Sequence, residues 1–170
     1  MIGELADSSA LVRVADLATR AAVSAPTEGR VLYAGLRALE VPEEPVARLW
    51  HAATLLREHR GDGHNAALVT HGIGGTEAHV LLALALGMPA EEFGRVHHLP
   101  RAQLAAVIDG LRDRGLVDAA GRFTEAGREI KERIEARTDE LAAPAYEVLS
   151  ADELDELITG LEPIAAATSK

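Results

Sequence analysis

The chain has 170 residues, 48% of them hydrophobic and only 3% aromatic, so it can bury one sizeable core that has to be built from Ala, Leu, Val and Ile. It contains no cysteine, which excludes disulfides and thiolate chemistry and fits a reducing cytoplasm; no run approaches the roughly 18 apolar residues of a membrane span, and MIGELADSS lacks the basic start and apolar stretch of a signal peptide, so a cytoplasmic protein with no membrane association is expected. The net charge of −10 is unevenly spread, −3 over residues 1–90, zero over 91–128 and −7 over 129–170, which leaves no segment with the positive footprint of non-specific DNA binding.

In chain order the pattern is almost wholly helical. Ile2 to Val23 places Leu5, Val12, Leu17 and Ala21 among small and charged residues and ends before Ser24-Ala25-Pro26. Gly29 to Leu39 offers Val31, Leu32, Gly35, Leu36 and Leu39 at helical spacing. Pro45 suits a first helical position, with Glu43 and Glu44 at the positive end. The helix it opens runs to about Arg60 with Val46, Leu49, Trp50, Ala53 and Leu56 on one face. Gly61-Asp62-Gly63 should break it, and a short helix follows from His64 to Val69. After Gly72–Gly75, Thr76 reads as an N-cap for a run to Leu86, which Gly87-Met88-Pro89 stops. A short helix from Ala90 to about His97 comes next, His97-His98 beside Pro100 mark a turn, and Pro100 opens a helix with Leu104, Val107, Ile108 and Leu111 at core spacing.

Residues 114–128, RGLVDAAGRFTEAGR, change structural period twice. A helix ends at Gly115, a short β segment turns over at Ala120-Gly121, and a new helix opens at Thr124. That is the outline of a winged helix. The expected fold is mainly α, a winged helix-turn-helix with a short two-stranded wing, in which Thr76 to Leu86, Ala90 to His97 and Pro100 to Arg114 are the three helices and the last is the recognition helix. One domain is expected over 1–170, with the winged core at about 76–128 and flanking helices at 1–60 and 124–166. The second flank has Ile130 and Ile134, an interruption at Pro144, a capping box at Ser150 to Glu153, and the stripe Leu154, Leu157, Ile158, Leu161 up to Pro163. Long helices whose apolar stripes a small core cannot cover bury them on another chain, so a homodimer is expected.

The segment LAAVIDGLRDRGLVDAAGRFTEAGREIKERIEARTDELAAPAYEVLSADELDELITGLEPI resembles the recognition helix, wing and C-terminal dimerisation helices of MarR-type regulators, over about the last 70 residues. Upstream, LWHAATLLREHRGDGHNAAL is similar to a narrower actinobacterial family of MarR-like winged-helix proteins in which the matching region often forms the second half of a longer chain. The resemblance implies a ligand-responsive, DNA-binding transcriptional regulator with flanking dimerisation helices. It also implies that this chain is the C-terminal portion, its N-terminal half replaced by a partner or a second copy.

Departures from the MarR pattern weigh on DNA binding. The wing between Val117 and Phe123 is only DAAGR, with Arg122 its sole base. The solvent positions of the recognition helix include Arg101, Gln103, Ala106, Asp109, Gly110 and Asp113. Arg101 and Gln103 suit guanine or adenine edges, whereas Asp109 and Asp113 would face phosphate unfavourably. Arg112 and Arg114 either contact phosphate or complement the dipole at a solvated helix end.

The other chemistry lies in His51 and REHRGDGH, residues 57–64. His51, Leu55, Glu58 and His59 fall near one helix face, and a break at Gly61–Gly63 would fold Asp62 and His64 back toward them. Glu58 or Asp62 orienting a histidine makes an acid/base pair near neutral pH, and Arg57 and Arg60 suit a carboxylate or phosphate. The expected ligand-binding set is therefore Trp50, His51, Arg57, Glu58, His59, Arg60, Asp62 and His64. Each has a structural alternative: Asp62 caps the following helix, Arg57 or Arg60 pairs with acids of a neighbouring helix, the histidines complete buried networks and Trp50 anchors the core. His64 and His71 are seven apart, but no HExxH or comparable spacing exists, so neither a metal nor another cofactor is expected and no catalytic residue is assigned. Three functions stay open: a regulator that binds double-stranded DNA and answers a small-molecule ligand near His51 and residues 57–64; a scaffold that has lost DNA binding and binds or transforms a small molecule there; and a module completed by an N-terminal-half partner.

Overall fold

The computed structural model describes residues 9–93 and 98–168. Its helices are α1 (Ser9–Ser24), α2 (Val31–Arg37), α3 (Pro45–Thr70), α4 (Gly75–Ala85), α5 (Arg101–Asp113), α6 (Glu125–Ala142) and α7 (Ala151–Thr168), with 3-10 turns at Ala90–Glu92 and Ala143–Tyr146. The chain divides inside α3 and inside α6 into two compact units: one takes residues up to Gly63 and from Asp139, the other takes His64–Thr138.

The core of the first unit is Leu11, Val14 and Leu17 of α1, Tyr33 of α2, Leu49, Ala52 and Leu55 of α3, and Ala145 and Leu157. Alanines at 15, 18, 21 and 22 keep the buried face of α1 low, and Gly160 of α7 lies where a Cβ would strike the Val14 side chain, so small residues on both helices permit close approach. The same two helices are clamped by charge. Arg20 bonds Glu153, and Arg13 pairs with Glu156 at 2.9 Å and Glu153 at 3.6 Å. The Ser150 hydroxyl accepts the Glu153 N–H at 3.2 Å while the Glu153 carboxylate accepts the Ser150 N–H at 3.0 Å, which is the capping box at the start of α7. The Arg20 bond, then the Ser150 N–H, hold the Glu153 carboxyl at about 2.

The second unit packs Leu68 and Ile73, Val80 and Leu81 of α4, Leu104 and Leu111 of α5, Leu116, Val117 and Ile134. Gly115, with φ of 70°, turns the chain out of α5 so that the Leu116 N–H reaches the Leu111 carbonyl at 2.9 Å. The chain then makes one antiparallel bridge, Val117 to Phe123.

Several expectations are corrected here. Among the described residues there is no two-stranded wing. The five residues between Val117 and Phe123 are consumed by a turn in which the Asp118 carboxylate accepts the N–H groups of Ala120 (2.8 Å) and Arg122 (2.9 Å), and Thr124 at once caps α6, its hydroxyl accepting the Gly127 N–H at 3.1 Å. No residues remain for a second rung. α3 does not break at Gly61–Gly63 but runs on to Thr70, because tertiary contacts described below offset the cost of about 1 kcal/mol for each helical glycine. Trp50 is 77% exposed; the core face of α3 is Leu49, Ala52 and Leu55, and Val46, Trp50 and Ala53 face out. α4 begins at Gly75 with Gly74 as its N-cap in place of Thr76, since Glu77 reaches back to the Gly74 N–H at 2.7 Å. α7 continues past Pro163. Of the short helix expected at Ala90 to His97 there is a 3-10 turn at Ala90–Glu92; residues 94–97, like Ile2 to Ser8 of the first helix, lie outside the described residues.

A packing constraint in the second unit lies at Gly127, where a Cβ would overlap the Leu116 carbonyl oxygen and come within 2.7 Å of the Phe123 ring. The obstacle is backbone, so it cannot swing away. Gly127→Ala should lower the unfolding free energy by about 1–3 kcal/mol, despite the gain in helix propensity, as read by urea denaturation.

Candidate functional site

The REHRGDGH motif lies on one continuous helix, and in the first unit its polar atoms converge on a residue outside it. Arg30, at the start of α2, is only 7% exposed. Its guanidinium donates to the His59 carbonyl and, at 2.6 Å, to the Leu141 carbonyl. Burial pushes it below the ordinary arginine range, and the Asp62 charge opposes that shift. Gly63 makes the approach feasible, since a Cβ there would collide with the guanidinium and come within 3.2 Å of the Leu141 Cβ.

Asp62 serves α2. One carboxylate oxygen accepts the N–H groups of Leu32 (3.0 Å) and Tyr33 (2.9 Å), two of the unpaired donors at that helix start. It caps the preceding helix, where sequence reasoning had it cap the following one. Tyr33 is fully buried and donates its hydroxyl to the carbonyls of Ala22 (2.6 Å) and Ala25 (3.0 Å). Its ring meets His59 edge-on with centroids 5.1 Å apart. His59 is 1% exposed, and its Nε2 is buried without a hydrogen-bond partner. Burial, reinforced by Arg30 and opposed by Asp62, holds it below the ordinary histidine range, so this histidine is neutral at neutral pH.

The rest of the expected ligand set is dispersed. Arg57 points to solvent and pairs with Glu58; Arg60 and Asp139 form an exposed pair at 3.1 Å. His51 is half-buried with Nε2 unpartnered, and the exposed Trp50 shares the outer face of α3 with Val46 and Ala53. His64 belongs to the second unit. Its Nδ1 lies 3.0 Å from the Thr138 hydroxyl, which already donates to the Ile134 carbonyl at 2.7 Å, so Nδ1 carries the proton. His71 bonds the carbonyl of Ala67 at 2.8 Å. Among the described residues no group of three His, Cys, Asp or Glu side chains comes together to hold a metal ion.

In the second unit α5 buries Leu104 and Leu111 and exposes Arg101, Ala102, Gln103, Ala105, Ala106 and Asp109. Arg101 and Gln103 have no in-chain partner for their side chains among the described residues. The other expected DNA contacts are engaged. Arg112 bonds Asp109 at 2.6 Å and the Asp118 carbonyl at 3.2 Å. Arg114 bonds the Gly72 carbonyl at 2.7 Å and pairs with Glu77 at 3.4 Å, fastening the start of α4. Arg122 pairs with Asp118 at 3.1 Å. The Arg122 N–H, followed by its side chain, holds the Asp118 carboxyl below the usual carboxylate range. Sequence reasoning passed over Arg30 and Tyr33. Their only signal was an arginine and a tyrosine at the start of a short segment that is apolar up to a second arginine, Arg37.

The model of a helix-turn-helix family matches residues 1–170, and the chain belongs to that family. At the coarse level this is the domain class of DNA-binding regulators. No curated protein and no solved structure matches the chain. Among the described residues no helix is long and apolar enough to cross a membrane.

Two outcomes follow for the polar hub. Asp62→Ala should cost about 1–2 kcal/mol of stability through the lost cap; chemical denaturation reads this. Because the folded state holds the His59 proton more weakly than the unfolded chain does, stability is highest above the unfolded histidine value near 6.5 and declines as pH falls through and below it. His59→Phe keeps the ring against Tyr33 and should flatten that decline in denaturation curves taken at intervals from about pH 7.5 to about pH 5.5.

Proposed function

We propose, from membership of the helix-turn-helix family, that this protein is a DNA-binding transcriptional regulator of MarR-like type that reads duplex DNA with the start of α5. The observation that carries this reading is the exposed first turn of α5, where Arg101 and Gln103 have side chains without a partner among the described residues, beside the small Ala102, Ala105 and Ala106. Arginine and glutamine are the side chains suited to guanine and adenine edges, and alanines let a helix sit close to a groove floor. Affinity rests on few charges, because Arg112, Arg114 and Arg122 are spent on in-chain carboxylates and carbonyls and Asp109 is exposed on the same helix. That internal neutralisation is also the observation favouring the second reading, a helix-turn-helix scaffold without DNA binding. The Arg30, Tyr33, His59 and Asp62 hub is, in this account, architectural, and the effector of a ligand-responsive regulator would not bind there.

A second copy of the chain is the proposed partner, since helix-turn-helix proteins read paired half-sites as dimers. The surface we assign to it is the outer face of α3, where Trp50 and Val46 are exposed. A tryptophan so accessible is the kind of residue that anchors interfaces. Trp50→Glu should convert the sedimenting species from dimer to monomer without loss of helicity, and a wild-type chain that sediments as a monomer contradicts the dimer.

Fluorescence anisotropy on DNA upstream of the protein's own gene, at about 50 mM and about 200 mM salt, tests DNA binding. Binding that weakens with salt, and that Arg101→Ala combined with Gln103→Ala weakens by about tenfold or more at unchanged stability, is expected. Absence of salt-sensitive binding at both concentrations overturns the regulator in favour of the scaffold.

A further inference from the structure

The outer face of α3 in the first unit is a stripe of Val46, Ala47, Trp50, Ala53, Thr54 and Arg57, whose spacing of three, four and seven residues puts them on one side of the helix. Trp50, the only tryptophan of the chain, is 77% exposed, and Val46 is 43% exposed. The flanks of Trp50 match in size. Ala47 and Ala53 lie three positions to either side of it, and the isosteric Val46 and Thr54 lie four positions to either side. The ends of the stripe carry opposite charge. Arg57 lies seven residues after Trp50, and Glu43, exposed and without a side-chain partner among the described residues, lies seven before it, just outside α3. Glu44 is fixed on the helix start, where its carboxylate accepts the N–H groups of Val46 (3.0 Å) and Ala47 (2.7 Å). Arg57 pairs with its neighbour Glu58, yet its side chain is 78% exposed and a guanidinium has donors enough for a second carboxylate.

Such a stripe is complementary to itself. An isologous contact sets the same patch of two copies face to face under a two-fold rotation. With the axis through Trp50 and the two α3 helices antiparallel, each residue meets the one equally far on the other side of Trp50. Ala47 then meets Ala53, Val46 meets Thr54, and Arg57 meets Glu43 at about 10 Å from the axis, at 1.5 Å of rise per residue. The alanines leave room for two indoles at the axis, and each Arg57 finds a carboxylate. A parallel pair would set Arg57 against Arg57 and Glu43 against Glu43, so charge selects the antiparallel one. The terminal helices offer less to a second copy. Leu157 of α7 is buried within the first unit, Leu161 and Ile164 pack on the same core, and Arg13 and Arg20 of α1 hold Glu153 and Glu156 of α7.

We propose that a second copy of the chain docks antiparallel on α3 about a two-fold axis at Trp50, with Arg57 of each copy paired to Glu43 of the other. This docking rests on the second-copy reading given above and fixes its direction and register. One helix face buries less than the about 800 Å² per partner of a standard interface, so the dimer is reversible and concentration-dependent, with Kd on the order of 1 μM or weaker.

Sedimentation velocity of the full chain across a concentration series, with circular dichroism as the check on folding, tests the register. Arg57→Glu alone and Glu43→Arg alone each place like charges opposite one another at both ends of the contact, and each should weaken the dimer by about tenfold or more. The double variant, with both charges exchanged, should recover wild-type association. Both side chains are exposed, so helicity should stay unchanged in all three variants. A dimer indifferent to both charge reversals, or one that the double variant fails to restore, overturns this docking; if Trp50→Glu still abolishes that dimer, the second-copy reading stands without it. A wild-type chain that is monomeric throughout the series overturns both.

Discussion

A guanidinium buried at the start of a seven-residue helix sets the terms for the first unit. An arginine taken out of water costs several kcal/mol unless its donors find acceptors, and Arg30 finds them in the backbone carbonyls of His59 and Leu141 with Asp62 close by. Each neighbour then follows. Residue 63 must lack a side chain for the guanidinium to reach α3; Asp62 is positioned to close the N–H groups of α2; Tyr33 is driven between α1 and His59, where its hydroxyl donates to the carbonyls of Ala22 in the last turn of α1 and Ala25 just beyond it. α2 is too short to be stable by propensity alone, so these tertiary bonds are what keep it helical.

This accounts for a motif dense in charge that looks, as a string, like a site. Charged and polar residues crowd together in apolar surroundings either to meet a ligand or to satisfy one another. In the first unit Arg30 and Asp62 are satisfied by backbone groups, while the Nε2 of His59 is buried without a partner. Around α5 in the second unit, Arg112 ties that helix to the turn and Arg114 ties its end to the start of α4, Arg122 pairs with Asp118 within the turn, and Arg101, Gln103 and Arg128 have no carboxylate partner among the described residues. Function in this chain is better sought among the polar groups the fold does not use than among those that are most numerous.

Much of the helical layout could be read from the residues. Pro45 with Glu44, the Ser150 and Glu153 pair, and Gly115 mark helix ends through strictly local chemistry, and local chemistry is what a sequence displays. The failures are long-range. Gly61-Asp62-Gly63 carries every local mark of a break, yet the helix continues because an arginine some thirty residues earlier needs that missing side chain and a distant helix start needs that carboxylate. Trp50 shares a stripe with Leu49, and the periodicity that groups them does not say which edge of the stripe meets the core. RGLVDAAGRFTEAGR reads as a hairpin because its period changes, but Asp118 and Thr124 take the N–H groups and the residues that a second rung would have required.

The central claim is that Arg30 and Asp62 act as one unit in holding α2 to α3, and a double-mutant cycle measures it most directly. Unfolding free energies of the wild type, Arg30→Ala, Asp62→Ala and the double variant should show a coupling of about 1 kcal/mol or more, the double variant losing less than the two single losses together. Losses that add to within about 0.3–0.5 kcal/mol would contradict it, and would return the REHRGDGH residues to candidacy as a binding site.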